Sequence, residues 1–258
     1  VSLDLETTSI FPISAKIIGL SFSYKTGSAF YIPVAHTENT PQLDLNYVLK
    51  KLKPILESSD IKKIGQNLKY EYIILKNYGI SLKGLYFDTM VAAHMIDSSL
   101  QTYSLDNLAR RFLDYKMISY KEVTKVNKKT ISFAEVSIDQ ASTYSCEDAD
   151  ITLKLFEFLK EKLEKYQLIE SYINYEIPFI KVLADIEFAG VNIDIKRLSK
   201  LSKEFKKIIG KIEKDIYGFI GKEINLNSPM QLREVLFNKL GLKPNKKTKT
   251  GEHSTDSQ

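Results

Sequence analysis

The sequence lacks the residues that disulfides, zinc sites and membrane spans require. Cys146 is the single cysteine of the 258 residues, so an intrachain disulfide is excluded and a reducing compartment is expected. The histidines, His36, His94 and His253, do not have the spacing of zinc ligands. The apolar runs are far shorter than a membrane span, and no secretory signal pattern opens the chain. We therefore expect an intracellular protein without a membrane partner.

Arginine is also scarce among the positive charges. The chain has 37 basic residues and a net charge of +5, and only four of the basic residues are arginines. The lysines cluster at residues 121–129 and 243–249, where they suit phosphate contact better than bidentate reading of bases. This mildly favours a polyanionic partner, although each cluster could equally be a solvated loop.

Strand and helix patterns alternate over the first 166 residues. Strands are predicted at the N-terminus and at residues 16–24, 28–34, 62–66 and 84–87. Helices are predicted at residues 43–56, 68–78, 89–96, 105–113 and 139–166, and Pro54 predicts a kink or an early end of the first. The polar, lysine-rich residues 115–130 are interpreted as a loop. This order indicates an α/β layer fold with a mixed sheet.

The pattern changes near residues 166–169. From residue 168 onward we find no strand pattern, and helices are predicted at residues 168–189, 195–219 and 229–240. The tail, residues 243–258, is polar and supplies no core. We therefore predict an α/β domain at 1–166, followed by an all-helical segment at 167–258.

The first strand carries two acids on one side. Val1, Leu3 and Leu5 alternate with polar residues, so Asp4 and Glu6 point the same way. Two adjacent carboxylates repel each other, and a hard cation such as Mg²⁺ or Mn²⁺ removes that repulsion. By itself this pair is more often two solvated acids on an edge strand, and only further acids favour a metal site.

Three later stretches carry candidate partners for this pair. Asn67 and Glu71 are four residues apart at the start of a predicted helix. Tyr144 and Asp148 have the same spacing, and a phenol beside a carboxylate can position a metal-activated water. Asp88 precedes a predicted helix, and we interpret it as a cap rather than a metal ligand.

Together these motifs resemble the 3′–5′ exonucleases that have four acidic residues and a tyrosine. The motifs are D-x-E at Asp4, N-x-x-x-acid at Asn67 and Y-x-x-x-D at Tyr144. The phrases GQNLKYE, FDTMVAAHMI, YSLDNLARRFL and YSCEDADITLKL are similar to the proofreading domain of the bacterial DNA polymerase I family, the family A polymerases. Residues 176–194 and 226–242 resemble the first helices of the polymerase domain, at the base of its thumb. The resemblance implies an RNase H-like exonuclease domain.

The resemblance also implies a site that holds two divalent cations, Mg²⁺ or Mn²⁺. Asp4, Glu6 and Asp148 would hold one cation, and Asp4 and Glu71 the other. Tyr144 would orient the attacking water. The implied substrate is the 3′ end of single-stranded DNA, which is shortened during proofreading.

Further residues correspond to substrate contacts of that family. Ile10 lies where the family has an apolar wedge, and Tyr120 where an aromatic ring stacks on the terminal base. Gln66 and Asn67 would contact the nucleotide. The other implied partner is the rest of the polymerase chain in cis. We expect a monomer in the bacterial cytoplasm at the nucleoid, or in an organelle if the source is eukaryotic.

Glu71 departs from the family pattern, which usually has aspartate at this position. Glutamate is one methylene longer and can still reach a cation, so we expect an active enzyme. The alternatives are a nuclease-impaired module that binds DNA or spaces domains, and an RNase D-like RNA exonuclease, which the polymerase-like residues 176–242 disfavour. No palm or fingers sequence follows Gln258, so we expect a fragment that does not polymerise DNA.

Overall fold

A computed structural model describes residues 1–126, 128–248 and 251–255 of the chain. The chain divides into two compact units, Val1–Gly190 and Val191–Gln258. Lys249, the last residue of the second lysine cluster, and part of the predicted coreless tail lie outside the described residues. Within the described residues, no helix is both long enough and apolar enough to span a membrane.

The first unit is built on a five-stranded mixed sheet. Its strands are β1 (Ser2–Thr7), β2 (Ile17–Lys25), β3 (Ser28–Pro33), β4 (Lys63–Gly65) and β5 (Leu85–Asp88). They lie in the order β3-β2-β1-β4-β5, with β2 antiparallel to both β1 and β3, and β4 parallel to both β1 and β5. The predicted α/β fold with a mixed sheet is confirmed.

Helices surround this sheet, and most of them agree closely with the predicted ranges. They are α1 (Leu45–Leu56), α2 (Leu68–Asn77), α3 (Thr89–Ile96), α4 (Leu105–Leu113), α5 (Tyr120–Thr124), α6 (Ile138–Lys165), α7 (Ile169–Ser171) and α8 (Ile177–Ala189). Helix α1 continues past Pro54 to Leu56, so the expected early end is wrong. A π-helical segment, Tyr172–Glu176, lies between α7 and α8.

The alternation in β1 sends its side chains to two different layers. Leu3 and Leu5 are buried in a core that also contains residues of α1 and α2. Glu6 points to the opposite face, where its carboxylate meets Ser145 of α6. Because successive strand residues alternate between faces, Asp4 lies on the α6 side together with Glu6. The long helix α6 therefore covers the acidic face of β1.

The interpretation of residues 115–130 as a loop is wrong. Helix α5 is followed by a two-stranded antiparallel hairpin, β6 (Lys125–Val126) and β7 (Lys129–Thr130). Ser119 and Ser132 form capping boxes with Glu122 and Glu135, and the second box opens a 3₁₀ turn at Phe133–Glu135. Short capped elements are hard to predict because they carry too few residues to show a hydrophobic period.

Helix α8 packs against the sheet domain through α2. Lys69 contacts Glu187 at 2.6 Å, and Lys76 contacts Asp185 at 2.7 Å. Tyr172 is fully buried and its hydroxyl donates to the carbonyl of Asp88 at 2.9 Å. The first compact unit therefore includes the chain as far as Gly190.

The second unit is mainly helical. It contains α9 (Ile195–Ile220), α10 (Pro229–Arg233) and a π-helical segment, Glu234–Lys239. Asp194 caps α9 by accepting from the amide of Arg197 at 2.9 Å, and Ser228 with Pro229 opens α10. In the described part of this unit, β-pairing is limited to an isolated antiparallel bridge between Lys247 and His253.

Candidate active site

Three carboxylates converge between the acidic face of β1 and α6. Asp4, Glu6 and Asp148 each offer an oxygen, and these oxygens all lie within 4.8 Å of one another. The first two come from alternate positions of one strand, and the third comes from α6. Asp148 lies 144 positions after Asp4 and 142 after Glu6 in the sequence, and the fold brings the three together in one acidic group.

Asp4 is the electrostatic centre of this group. Burial raises the pKa of Asp4 to about 6. Burial, followed by repulsion from Asp4, raises the pKa of Glu6 to about 8. The same two causes, in the same order, raise the pKa of Asp148 well above its usual range. Without a cation, the site therefore disfavours three simultaneous negative charges.

Glu71 adds a fourth carboxylate from the first turn of α2. Its side chain is buried, and its pKa is raised well above the usual range by burial first and by Asp4 next. Its Oε2 atom is buried without a hydrogen-bond partner among the described residues. An unpaired buried carboxylate oxygen is costly, and coordination to a cation would satisfy it.

These four carboxylates fit hard divalent cations. All the donor atoms are oxygens, which Mg²⁺ and Mn²⁺ prefer, and the like charges require a compensating positive charge. Asp4 exerts the largest charge effect on Glu6, on Asp148 and on Glu71, which suits a ligand shared between two cations.

Tyr144 lies one helical turn before Asp148 on α6, close enough for the charge of that carboxylate to act on its hydroxyl. Burial, then the charge of Asp148, raises the pKa of the Tyr144 hydroxyl, so this group stays protonated. Its ring packs against Phe133 at 5.8 Å and against the edge of Tyr120 at 6.4 Å between ring centroids. These aromatic neighbours fix the position of the ring.

Ser145 and Tyr31 were not predicted as site residues. The Ser145 hydroxyl donates to Glu6 Oε1 at 2.7 Å, and both side chains are buried. Tyr31 lies over Gly19, the cross-strand neighbour of Glu6, and a Cβ at Gly19 would lie 2.0 Å from the Tyr31 hydroxyl. The feature of the sequence that could have indicated Ser145 is its position next to Tyr144 in the predicted helix.

Tyr31 is held by a buried histidine. Nδ1 of His36 lies 3.0 Å from the carbonyl of Val136, so this nitrogen donates and Nε2 accepts from the Tyr31 hydroxyl at 2.7 Å. Burial, followed by the charges of Glu6 and Asp4, raises the pKa of Tyr31. His36 therefore has a structural explanation that needs no zinc ion.

Asp88 is a cap for two helices, as predicted for one. Its Oδ1 accepts from the amides of Met90 at 2.9 Å and Val91 at 3.2 Å, at the start of α3. The carboxylate also accepts from the amides of Asn67 and Leu68, at the start of α2. These four amide donors account for a fully buried aspartate without a metal role.

Gln66 and Asn67 lie where β4 passes into α2. The Gln66 amide donates to the carbonyl of Tyr103 at 2.7 Å and accepts from the hydroxyl of Thr89, so both of its ends are used within the protein. Asn67 precedes α2 with a positive φ of 66°, so it is not part of the same helical face as Glu71. Its side chain makes no capping bond. A nucleotide contact by either residue stays a prediction.

The two predicted base-contacting residues are both exposed. Ile10 is 83% exposed in the turn after β1, which Tyr70 holds by donating to the carbonyl of Ser9 at 2.5 Å. Tyr120 is 47% exposed at the start of α5. It lines a cavity of about 410 Å³ together with Tyr144, Asp148 and Lys121. Both side chains are accessible to a nucleotide.

Two neighbouring acids on α6 have other partners. Glu147 accepts from the hydroxyl of Tyr115 at 2.9 Å and from the amide of Ile118 at 2.7 Å. Asp150 accepts from the amide of Gly27 at 2.6 Å and pairs with Lys154 at 2.7 Å. Both acids are therefore engaged away from Asp148.

Comparison with protein families assigns the two parts of the chain. Residues 1–164 match the family described as 3′–5′ exonuclease. The chain belongs to the 3′–5′ exonuclease family. Beyond this exonuclease domain, residues 195–258 match the family described as DNA polymerase family A. The resemblance to the bacterial DNA polymerase I family is confirmed.

The exonuclease domain and its continuation are similar to several curated polymerases. DNA polymerase I of Pseudomonas aeruginosa is 38% identical over 260 residues, which cover 99% of this chain and 28% of that protein. DNA polymerase I of Borreliella burgdorferi is 41% identical over 256 residues, which cover 99% of this chain and 27% of that protein. The chain thus spans little more than a quarter of these relatives.

Two solved structures share the fold of the exonuclease. The POL domain of Pol1 from M. smegmatis, in complex with DNA primer-template and dNTP, aligns with a TM-score of 0.74 and 25% identity, covering 99% of this chain and 40% of that one. Brucella melitensis NrnC with bound Mg²⁺ aligns with a TM-score of 0.56 and 18% identity, covering 75% of this chain and 88% of that one. The second likeness concerns the fold alone.

Proposed function

We propose that residues 1–166 form a two-metal 3′–5′ exonuclease that removes nucleotides from the 3′ end of single-stranded DNA, and that residues 167–258 begin the polymerase domain of the same protein. The observation that carries the proposal is the convergence of oxygens from Asp4, Glu6 and Asp148 within 4.8 Å. Membership in the 3′–5′ exonuclease family supports it. Proofreading follows if the parent chain is a DNA polymerase I, as its relatives are.

The proposed ligands divide into two sets that share one residue. Asp4, Glu6 and Asp148 hold the first divalent cation, Mg²⁺ or Mn²⁺, and Asp4 and Glu71 hold the second. When bound, such a pair of cations supplies charge stabilisation for both the attacking and the leaving oxygen of an in-line displacement. The buried, unpaired Oε2 of Glu71 supports its place in the second set.

Tyr144 holds the attacking water in this proposal. If its hydroxyl donates to the neighbouring Asp148, its oxygen is free to accept a hydrogen bond from a water molecule. The raised pKa of Tyr144 means that it acts by orientation and not as a base. The exposed ring of Tyr120 and the side chain of Ile10 contact the terminal base, which keeps the cut phosphate next to the carboxylates.

The assay uses a 5′-labelled single strand of about 15 nucleotides, long enough to cover a single-strand site. It is incubated with the chain in Mn²⁺, in Mg²⁺ or in EDTA, and an RNA strand of the same sequence is run in parallel. Stepwise shortening of DNA that EDTA prevents is the expected result. Asp150→Asn is the control variant and is expected to cut DNA as the wild type does. Asp150 lies on the same helix as Asp148, but it pairs with Gly27 and Lys154.

Other outcomes favour the alternatives. DNA that stays intact in both metals, yet is retarded in a gel, would favour a nuclease-impaired binding module. Faster shortening of RNA than of DNA would favour the RNA exonuclease. Cleavage that persists in EDTA would contradict a metal-dependent mechanism.

A further inference from the structure

Four lysines of α5 and the hairpin that follows it have no carboxylate partner in the described part of the chain. Lys121, Lys125, Lys128 and Lys129 are all exposed, and none lies within 4.0 Å of a carboxylate among the described residues. The two nearest glutamates in sequence, Glu122 and Glu135, are engaged in capping the backbone at Ser119 and Ser132. We call residues 120–126 and 128–130 the basic hairpin, since α5 leads directly into β6 and β7.

The basic hairpin is attached firmly at its base. The amide of Ile131 donates to the carbonyl of Thr124 at 2.9 Å, and Thr124 is buried. Val123 and Ile131 pack against a core that contains Phe133 and Val136. The lysines are thus carried by a fixed structure rather than by a solvated loop, the alternative that the sequence left open.

The base of the hairpin belongs to the wall of the site. Tyr120, its first residue, stacks on Phe133 at 6.0 Å, and Phe133 packs against Tyr144 at 5.8 Å between ring centroids. Lys121 lines the same cavity as Tyr144 and Asp148. Lys121 lies on α5, whereas Lys125 and Lys129 belong to β6 and β7, which follow this helix. The positive charges therefore extend from Lys121, at the cavity, into the hairpin.

The interior of the site has the opposite charge. Four carboxylates lie there, and an incoming strand is itself a polyanion. A strand that approaches such a site is repelled unless positive charge outside it offsets the repulsion. Lysine suits this purpose because its flexible, point-like charge contacts phosphate without reading the sequence.

We propose that the basic hairpin binds the backbone phosphates of the single-stranded DNA whose 3′ end occupies the cavity. This inference rests on the proposed exonuclease function and assigns it a binding element. The strand would run from the cavity along α5 to the hairpin, with the terminal nucleotide at Tyr120 and the preceding phosphates at Lys121, Lys125 and Lys129.

The test measures binding separately from cleavage. The triple variant Lys121→Gln/Lys125→Gln/Lys129→Gln is made in the Asp4→Asn background, and its affinity for a fluorescent strand of about 15 nucleotides is followed by anisotropy at several salt concentrations. Loss of three phosphate contacts makes the negative slope of log K against log salt shallower by about 2, since each contact contributes about −0.7 for a single strand. We expect the affinity at low salt to fall about tenfold or more, and the affinity for a trinucleotide to fall much less.

Two further variants separate position from charge. Lys50→Gln/Lys51→Gln/Lys83→Gln removes the same charge from exposed lysines of α1 and the segment before β5, and it is expected to bind as the parent does. Lys121→Arg/Lys125→Arg/Lys129→Arg keeps the charge and is expected to retain the affinity and the salt slope.

Each remaining outcome has a defined meaning. Unchanged affinity and slope in the glutamine variant of the hairpin would overturn the inference, as would an equal loss in the α1 control or absence of binding by the parent. If the parent binds with the expected slope but the chain with Asp4 intact cuts no DNA, the proposed exonuclease function fails while the binding element stands.

Discussion

The hydroxyl of Ser145 donates a 2.7 Å hydrogen bond to the carboxylate of Glu6, although the two residues are 139 positions apart in sequence. Both side chains are buried. This bond lowers the pKa of Glu6 and thereby opposes the larger effects of burial and of Asp4, which raise it. Ser145 therefore favours the ionised form of Glu6, which a cation needs as its ligand.

Replacing Ser145 with alanine is expected to weaken binding of Mn²⁺ at neutral pH. Loss of a hydrogen bond to a charged group, about 1.5–3 kcal/mol, raises the pKa of Glu6 further and lowers the affinity roughly tenfold or more. The difference should shrink at high pH, where Glu6 is ionised in both proteins. Calorimetric titration with Mn²⁺ at two pH values measures this. Thr143→Ala, which alters an exposed hydroxyl of the same helix, is the control.

The metal-free protein is expected to lose stability as the pH rises. The pKa of Asp4 rises from 3.8 to about 6 on folding, and that of Glu6 rises from 4.5 to about 8. The folded state therefore binds more protons than the unfolded state from about pH 4 to about pH 8, and unfolding becomes easier across this window. Each kcal/mol lost from the free energy of unfolding lowers the thermal midpoint by about 2–4 °C. The midpoint in EDTA should therefore fall by several degrees across this window.

Divalent cations should reverse this trend, because they bind the ionised carboxylates of the folded state. Glu6→Gln should flatten the dependence on pH, whereas Glu161→Gln, at an exposed position of α6, should leave it as in the wild type. A thermal midpoint in EDTA that rises between pH 5 and pH 8 would contradict the assigned direction of these pKa shifts.

Asp4→Ala is expected to abolish cleavage and to leave the fold intact. The change removes the proposed shared ligand, and loss of several kcal/mol of transition-state stabilisation slows the reaction by roughly 10³-fold or more. It also removes the largest charge repulsion on Glu6, Glu71 and Asp148, so the metal-free protein should become more stable. Single-turnover cleavage and thermal unfolding are measured on one preparation. Wild-type rates at saturating Mg²⁺ would rule out the two-metal assignment.

Tyr144→Phe should slow cleavage while changing the affinity for metal little. Phenylalanine keeps the packing against Phe133 and loses the hydroxyl, so the expected loss is about tenfold to a hundredfold in rate. Calorimetry with Mn²⁺ gives the affinity of the same variant. Tyr115→Phe is the control, since its hydroxyl is bonded to Glu147. Equal losses in rate and in metal affinity would mean that Tyr144 acts by holding Asp148 and not by orienting water.

Glu71 stands where the resemblance to the exonucleases leads us to expect aspartate. If its longer side chain reaches the second cation, Glu71→Asp should change the rate modestly, and Mn²⁺ should serve better than Mg²⁺ because it demands less strict geometry. If the site is impaired, Glu71→Asp should raise a barely detectable rate by orders of magnitude. We expect the first result. Equal single-turnover rates for the wild type and Glu71→Ala would exclude Glu71 as a ligand.

The sequence determined the architecture and the acidic residues. The alternation in β1 was sufficient to separate Leu3 and Leu5 from Asp4 and Glu6, because the side-chain period of a strand is two. Capping residues such as Asp88 and Ser228 marked helix starts correctly, because their side chains bond locally to backbone amides. Such local rules need no knowledge of distant contacts.

The tertiary structure decided how distant residues complete the site. Ser145 acquires a role because α6 crosses the acidic face of β1 and meets Glu6 there. Gln66 has both ends of its amide occupied, by Tyr103 and Thr89, which its neighbours in sequence do not indicate. The basic hairpin is anchored beside the site through Val123 and Ile131, which pack against Phe133. Each of these depends on long-range contacts, whose geometry a local pattern of residue types does not contain.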